Sequence, residues 1–151
     1  MKLARRLNRF LDRMRDAGAF RVAGEAGTAP DLSGLAGHRY CLLVTFRRSG
    51  EPIPTPVWFG LGDGHAYFNT RERNAKVKRI RRDPHVRVAP CSIRGKPLGP
   101  LAEGRARVVA EEEETKAEAA IRSNYGIARR IYYATVGGRG DPTVYLEVAP
   151  E

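Results

Sequence analysis

A dense run of basic residues in the middle of the chain is the strongest candidate for chemistry. Between Arg71 and Arg82, seven of twelve residues are Lys or Arg and one is acidic. The run follows the polar pair Asn69 and Thr70, where a strand pattern gives way to a helical one. A helix start offers unpaired N–H groups and a positive dipole end, so a phosphate fits there, with Thr70 as hydroxyl donor and Arg71 and Lys76 as cations. The pattern alone also fits a solvated basic helix or a nucleic-acid patch.

Further basic groups are spread along the chain, at Arg94 with Lys96 and at Arg129 with Arg130. The net charge is +10, from 27 basic and 17 acidic residues. Such an excess of positive charge indicates a negatively charged partner, and the candidates are nucleic acid, an anionic membrane or a small polyanion. An extended anion is able to bridge several separated basic groups, whereas a bare phosphate does not require so many.

Residues for metal or covalent chemistry are sparse. The chain has two cysteines, Cys41 and Cys91, and three scattered histidines. No C-x-x-C, Cys/His cluster, Ser-His-Asp or paired-carboxylate pattern occurs, so a metal site is not expected. Both cysteines are predicted to be reduced and buried. We expect a cytoplasmic protein, because arginines interrupt any secretory segment and no apolar run is long enough to span a membrane.

The N-terminal segment is predicted to lie outside the main domain. Residues 3–17 carry apolar side chains at helical spacing among arginines, and Gly18 is predicted to end this helix. Residues 18–31 are rich in Gly, Ala and Pro, which is typical of a linker. We therefore divide the chain into an amphipathic basic helix with its linker, residues 1–31, and one domain, residues 32–151. The helix is expected to pack on the domain or a second subunit, or to associate weakly with a membrane surface.

Six strands are predicted in this domain, most of them joined by hairpin turns. They span residues 39–46, 51–61, 65–69, 85–93, 98–109 and 143–148. Helices are predicted at residues 73–82, 111–123 and 127–136. In the second strand, Pro52, Pro54 and Pro56 share one parity, so their missing N–H donors lie along one edge that cannot be fully paired. The order predicts a mainly β fold, a closed or nearly closed antiparallel barrel. The prolines fit either a split of the barrel at that edge or a strand that overhangs its neighbour.

Four segments of the domain form a recognisable combination. They are RYCLLVTFRRSGEPIPTPVWF, YFNTRERNAKVKRIRRDPHVRVAPC, IRGKPLGP and EGRARVV. The most specific elements are TPVWF, the stretch T-x5-K-x3-I-x-R-D-P and the stretch RVAPC-x-x-R-G-x-x-x-G-P. The combination resembles the pyridoxamine-phosphate-oxidase-like split-barrel superfamily, and more narrowly its actinobacterial branch of F420-dependent enzymes. The resemblance covers about residues 37–148 and leaves out the N-terminal helix.

This resemblance implies a six-stranded split β-barrel of the FMN-binding type that forms a homodimer. It implies a flavin or deazaflavin ring in a groove between the subunits, and it assigns no catalytic residue. The implied cofactor-binding residues are Thr55, Pro56, Val57 and Trp58 along the ring, Asn69, Thr70 and Arg71 by the ribityl chain and phosphate, Lys76 at the phosphate, and Cys91, Ser92, Arg94 and Lys96 near the ring or the cofactor tail.

The net charge favours the deazaflavin F420 over FMN, because F420 carries a phosphodiester and an oligoglutamate tail. The implied activity is hydride transfer between reduced F420 and a small unsaturated organic substrate. Three alternatives stay open: an FMN-binding oxidoreductase of the same fold, an F420 carrier without turnover, and a nucleic-acid-binding basic barrel. Aromatic residues make up 8% of the chain and so offer few platforms for base stacking, and no nucleic-acid partner is expected.

Overall fold

The computed structural model describes residues 14–125 and 142–151. The described helices are α1 (Ala17–Ala23), α2 (Ala75–Arg82) and α3 (Glu114–Tyr125), with 3-10 turns at Ser33–Leu35 and Glu111–Glu113. The described strands are β1 (Tyr40–Phe46), β2 (Pro52–Trp58), β3 (Gly60–Gly62), β4 (His65–Arg71), β5 (His85–Cys91), β6 (Ala102–Val108) and β7 (Thr143–Pro150). No helix within the described ranges is both long and apolar enough to cross a membrane.

The sheet curls into a half-barrel because one stretch of chain belongs to both of its edges. The strand order is β2-β1-β5-β6-β7-β4-β3, with every pair antiparallel, so β2 and β3 are the edge strands. Only Phe59 separates these two strands along the chain, and its side chain is buried in the core. The two edges therefore meet at Phe59. The predicted split barrel is confirmed, although the single predicted strand over residues 51–61 forms two strands around this residue.

The open part of the barrel lies between β2 and the second half of β4. Three prolines of β2 pair with residues of β1, namely Pro52, Pro54 and Pro56. Because proline has no N–H group to donate to β1, their nitrogens point away from β1 and toward the free edge of the sheet. In β4, β3 pairs only as far as Tyr67, whereas residues 69–71 pair with β7 alone. The unpaired edge that the prolines predict is confirmed, and it lies next to the start of α2.

The interior of the barrel is filled by one face of each strand, as the period of two requires. Val77 and Ile80 of α2 cover the end where β4 finishes, and Leu32 and Leu35 join the same core from the first 3-10 turn. The strand residues of this core include Cys41, Leu43, Val57, Phe59, Ala66, Phe68, Val86, Val88, Ala102, Ala106, Leu146 and Val148.

Helix α1 lies where the composition predicted a linker. The Asp16 side chain caps it by accepting a hydrogen bond from the backbone N–H of Gly18 at 2.7 Å, so Gly18 starts a helix and does not end one. Ala19 and Ala23 are buried against outward-facing residues of β1 and β5 such as Leu42. The small side chains that suggested a flexible segment instead allow close packing of a helix on the sheet.

The other element boundaries differ from the predictions only in detail. The fourth and fifth predicted strands, residues 85–93 and 98–109, are shorter, because Cys91 ends β5 and Ala102 begins β6. The helix predicted at 111–123 starts as a 3-10 turn and continues to Tyr125. The helix predicted at 127–136 and most of the one predicted at 3–17 lie outside the described residues. The division of the chain at residue 31 stays a prediction.

Candidate cofactor site at the split of the barrel

Six of the twelve predicted site residues border the split. They are Thr55 and Pro56 on β2, Asn69, Thr70 and Arg71 at the end of β4, and Lys76 in the first turn of α2. All six have half-buried side chains. The arrangement arises because β4 leads directly into α2 at the edge where β2 lacks a partner, so the edge of β2 and the β4–α2 connection meet at one opening.

Lys76 is positioned by the cap of its helix. The Asn74 side-chain oxygen accepts a hydrogen bond from the backbone N–H of Lys76 at 3.1 Å. Burial, followed by the nearby guanidinium groups of Arg79 and Arg15, lowers the pKa of Lys76 to about 8. No carboxylate among the described residues pairs with this ammonium group. Two residues further along the same helix, Lys78 is exposed.

Arg79 is anchored in the barrel wall. Its Nε donates a hydrogen bond to Oγ1 of Thr45 at 2.7 Å, and Thr45 is the buried polar residue of the described chain, with 2% of its surface exposed. Burial and the neighbouring groups of Arg47, Arg82 and Arg15 lower the pKa of the Arg79 guanidinium. A hydroxyl group accepts the hydrogen bond without neutralising the charge, so the cation stays available to an anion.

Together these side chains form a cationic cluster, which we define as Lys76, Arg79, Arg15, Arg47 and Arg82. Arg47 pairs with Glu51 at 3.1 Å, but both side chains are 60% exposed and such a pair is weak. Arg82 donates to the backbone oxygen of Phe46 at 2.6 Å. The pKa values of Lys76 and Arg79 are lowered by burial and by the neighbouring cations, so an anion that lies among these groups stabilises their charged forms. The residues present therefore fit the phosphate end of a nucleotide-like cofactor.

The residues predicted to line the cofactor ring are divided between two faces of β2. Val57 is 8% exposed and belongs to the interior core, and Thr55 has the same parity along the strand. Trp58 faces the outside and stacks on Tyr125 of α3, with ring centroids 4.8 Å apart and planes at 16°. A flat ring on the outer face of β2 would thus meet the side chain of Pro56, and only the backbone of Thr55 and Val57.

The other four predicted residues lie at the end of β5 and in the turn that follows it, and this turn contacts the segment around Arg15 of the cationic cluster. Cys91 is buried beneath α1, and burial raises the pKa of its thiol to about 12, which keeps it protonated. Arg94 and Lys96 are exposed, and Nε of Arg94 donates to the backbone oxygen of Met14 at 2.9 Å. Ser92 accepts the backbone N–H of Lys96 at 3.0 Å and shapes the turn. Within the described residues, none of these four borders the split between β2 and β4.

Sequence reasoning missed several residues of the site and its support, among them Arg79, Arg15 and Tyr125. Arg79 is three residues after Lys76, a helical spacing that could have been read as one face. Arg15 comes from the N-terminal segment, and no local pattern connects it with α2. Tyr125 accepts the backbone N–H of Phe59 at 2.9 Å and also donates to the backbone oxygen of Arg39, so it fixes α3 where β2 passes into β3.

Two further observations describe the chemistry of the described side chains. Cys41 and Cys91 are free and buried, as predicted, and they face opposite sides of the sheet. Within residues 14–125 and 142–151, no three His, Cys, Asp or Glu side chains are grouped to hold a metal ion.

Comparison with known proteins agrees with this architecture. The family described as pyridoxamine 5′-phosphate oxidase matches residues 32–151. No curated protein matches the chain significantly in sequence. Because the family match covers well over half of the chain, it establishes the family.

Solved structures share the fold at low sequence identity. An FAD-binding protein from Mesorhizobium loti is 16% identical, with a TM-score of 0.57 over 78% of this chain and 83% of the other. A protein described as an F420 reductase is 19% identical, with a TM-score of 0.50 over 82% and 95%. The heme storage protein HutZ from Vibrio cholerae is 12% identical, with a TM-score of 0.58 over 76% and 83%. The fold, the split and the family match lead to one conclusion: this chain belongs to the pyridoxamine 5′-phosphate oxidase family.

Proposed function

We propose that this protein is an F420-dependent oxidoreductase that transfers hydride between reduced F420 and a small unsaturated organic substrate. The observation that carries the proposal is the half-buried ammonium of Lys76, which lies beside Arg79 and Arg15 and has no described carboxylate as a partner. Like charges that lie close together raise the free energy of the free protein, and a bound polyanion removes this repulsion.

The extent of the cationic cluster supports a cofactor with several negative charges. Its members come from three segments: α2, the turn after β1, and the residues before α1. One phosphate is satisfied by two or three of these donors. A phosphodiester followed by a chain of carboxylates would use the others, which favours F420 over FMN.

The chain's own side chains have binding and orienting tasks in this proposal. When bound, reduced F420 supplies a hydride from its ring carbon. Lys76 and Arg79 hold the phosphate end, and Thr45 fixes the direction of the Arg79 guanidinium. Pro56 and the backbone of β2 provide a flat wall for the ring. We assign no catalytic residue, and we propose that a second copy of the chain completes the groove in a homodimer.

An FMN-binding oxidoreductase is the second candidate, and the family supports it. The matching family is described as pyridoxamine 5′-phosphate oxidase, and one structural neighbour binds FAD. A carrier without turnover is the third candidate, since another neighbour is described as a heme storage protein. Each of these uses the same fold with a different ligand or without a reaction.

The test is a pair of fluorescence titrations of the purified full-length protein, one with F420 and one with FMN. Tighter binding of F420, followed by F420-dependent reduction of at least one compound in a panel of conjugated acceptors, supports the proposal. Micromolar FMN binding without any F420 response makes the FMN enzyme the better description. Tight F420 binding without transfer to any acceptor favours the carrier.

A further inference from the structure

Within the described residues, the exposed large apolar side chains lie on two neighbouring segments. They are Met14, Phe20, Ile93 and Leu98, with 37%, 53%, 66% and 51% of their surface exposed. We name these four residues the apolar patch. Met14 lies just before α1 and Phe20 lies in it, whereas Ile93 and Leu98 lie in the connection between β5 and β6.

The two segments that carry the patch are in direct contact. The backbone N–H of Asp16 donates to the oxygen of Arg94 at 2.7 Å, and Nε of Arg94 donates back to the oxygen of Met14 at 2.9 Å. A Cβ atom added at Gly18 would lie 3.2 Å from the ring of Pro97. The two segments are therefore fixed to each other, and they are fixed to the barrel because Ala19 of the same helix is fully buried against the sheet.

Positive charge surrounds these apolar side chains. Arg21, Arg94 and Lys96 are exposed on the same two segments, and no described carboxylate forms an ion pair with them. The guanidinium of Arg15 lies 5.6 Å from the ring centroid of Phe20. The acidic side chain in this region, Asp16, is used as the cap of α1.

We propose that the apolar patch docks on the surface of an anionic lipid bilayer. Ile93 lies on a tight turn, closed by a hydrogen bond from the N–H of Gly95 to the oxygen of Ser92 at 2.9 Å, so it projects outward and does not line a groove. Apolar side chains inserted at headgroup depth, with Arg and Lys reaching lipid phosphates, are the features of a surface-bound protein. The thirteen residues before Met14 add five basic residues against one acidic.

Vesicle co-sedimentation of the full chain tests this proposal. Vesicles of phosphatidylcholine alone are compared with vesicles in which a quarter of the lipid is phosphatidylglycerol. We expect binding to the anionic vesicles that is weakened roughly tenfold or more by omitting the anionic lipid, and that falls with added salt. The triple variant Phe20→Ser, Ile93→Ser, Leu98→Ser should also weaken binding by about tenfold or more.

A charge variant gives an independent arm, because its residues are exposed and do not support the core. Arg94→Gln with Lys96→Gln should reduce binding, whereas Arg105→Gln with Arg122→Gln removes the same charge from exposed positions elsewhere and should not. Circular dichroism confirms that each variant is folded. Undiminished binding by the folded triple variant, or by the Arg94 and Lys96 variant, overturns the proposal.

A surface for self-association would behave differently in the same experiment. In that case the wild-type protein would bind to neither kind of vesicle. Light scattering would show a lower mass for the triple variant than for the wild type. That result would overturn membrane docking. The F420 titration is measured without lipid, so its outcome is separate from the outcome of this test.

Discussion

The side chain of Arg79 donates a hydrogen bond from Nε to Oγ1 of Thr45 across 2.7 Å. This bond joins the cationic cluster to the wall of the barrel, because Thr45 lies in β1 with its side chain buried. A guanidinium that is tied through Nε presents its two terminal nitrogens in a fixed direction. The bond thus makes one cation of the cluster rigid before any ligand arrives.

Thr45→Val should weaken F420 binding about three- to tenfold while the barrel stays folded. Valine has the shape of threonine but cannot accept the hydrogen bond, so Arg79 becomes mobile and its charge is no longer directed. Loss of the bond should lower the free energy of unfolding by about 1 kcal/mol, since Arg79 is only half-buried and water replaces the lost partner. Fluorescence titration and urea unfolding measure the two effects.

Thr45→Ser is the matched control, because it keeps the hydroxyl oxygen and removes only a methyl group. It should restore most of the cofactor affinity that valine loses. If serine and valine variants bind F420 equally well, the hydroxyl of Thr45 does not orient Arg79 for binding.

The affinity for an anionic cofactor should fall as the pH rises above about 8. Burial and the neighbouring Arg79 and Arg15 lower the pKa of Lys76 to about 8, so the free protein loses this positive charge there. An ordinary solvated lysine keeps its charge until the pH exceeds about 10. Below pH 8 the contribution of Lys76 is fully present, and above it each pH unit should weaken binding by up to about tenfold.

Titrations of F420 between pH 6.5 and 9.5, roughly, check this prediction, with Lys76→Ala as the reference. Ionisable groups of F420 itself affect the binding of both proteins equally, whereas the ionisation of Lys76 affects only the wild type. The difference between the two pH profiles should therefore show a midpoint near pH 8. Parallel profiles for the wild type and the variant would show that Lys76 stays charged or does not contact the anion.

Gly60→Ala should strongly destabilise the fold. A Cβ atom at this position would lie 1.9 Å from the backbone oxygen of Ala120, so β3 and α3 would have to separate. The contact is between two backbones and cannot be relieved by turning a side chain, so we expect a loss of about 3 kcal/mol or more in the free energy of unfolding. Urea unfolding followed by circular dichroism measures it.

Gly24→Ala is the control for this substitution. A Cβ atom at Gly24 meets nothing within 4 Å, and the residue has a φ of −83°, which alanine adopts freely. Its free energy of unfolding should stay within about 0.5 kcal/mol of the wild type. Comparable losses in the free energy of unfolding of the two variants would mean that α3 does not pack on β3 as closely as the structure indicates.

Local chemistry made much of the fold predictable from the sequence. Pro52, Pro54 and Pro56 cannot donate along one edge, and the sheet is indeed open there. Arg71 and Lys76 were predicted to lie together at the start of a helix, because a polar strand end leads directly into a basic helical segment, and the structure has that strand and helix. These predictions depend on residues close together in sequence, where hydrogen-bonding capacity and spacing leave few alternatives.

The remaining features depend on contacts between distant segments, and the sequence pattern does not contain them. The approach of Arg15 to Lys76 arises only because α1 folds back on the sheet. Helix α1 itself was mistaken for a linker, since Ala and Gly are common both in flexible segments and where a helix lies close to a strand. The stacking of Trp58 on Tyr125 likewise follows from the position of α3, which the pattern of β2 does not reveal.

The central claim is that half-buried positive charge at the start of α2 holds the anionic end of F420. Lys76 and Lys78 lie on the same helix, but Lys76 is half-buried in the cationic cluster and Lys78 is exposed. Replacing Lys76 removes a cation that its neighbours repel, so Lys76→Ala should leave the melting temperature unchanged or higher. Any loss of binding in that variant is then a loss of function and not of folding.

The most direct measurement is the dissociation constant of F420 for Lys76→Ala and Lys78→Ala, determined by fluorescence titration. We predict that Lys76→Ala weakens binding at least tenfold, about 1.4 kcal/mol or more, and that Lys78→Ala stays within about twofold of the wild type. Equal affinities of the two folded variants would contradict the account, because the buried cation would then have no part in holding the cofactor.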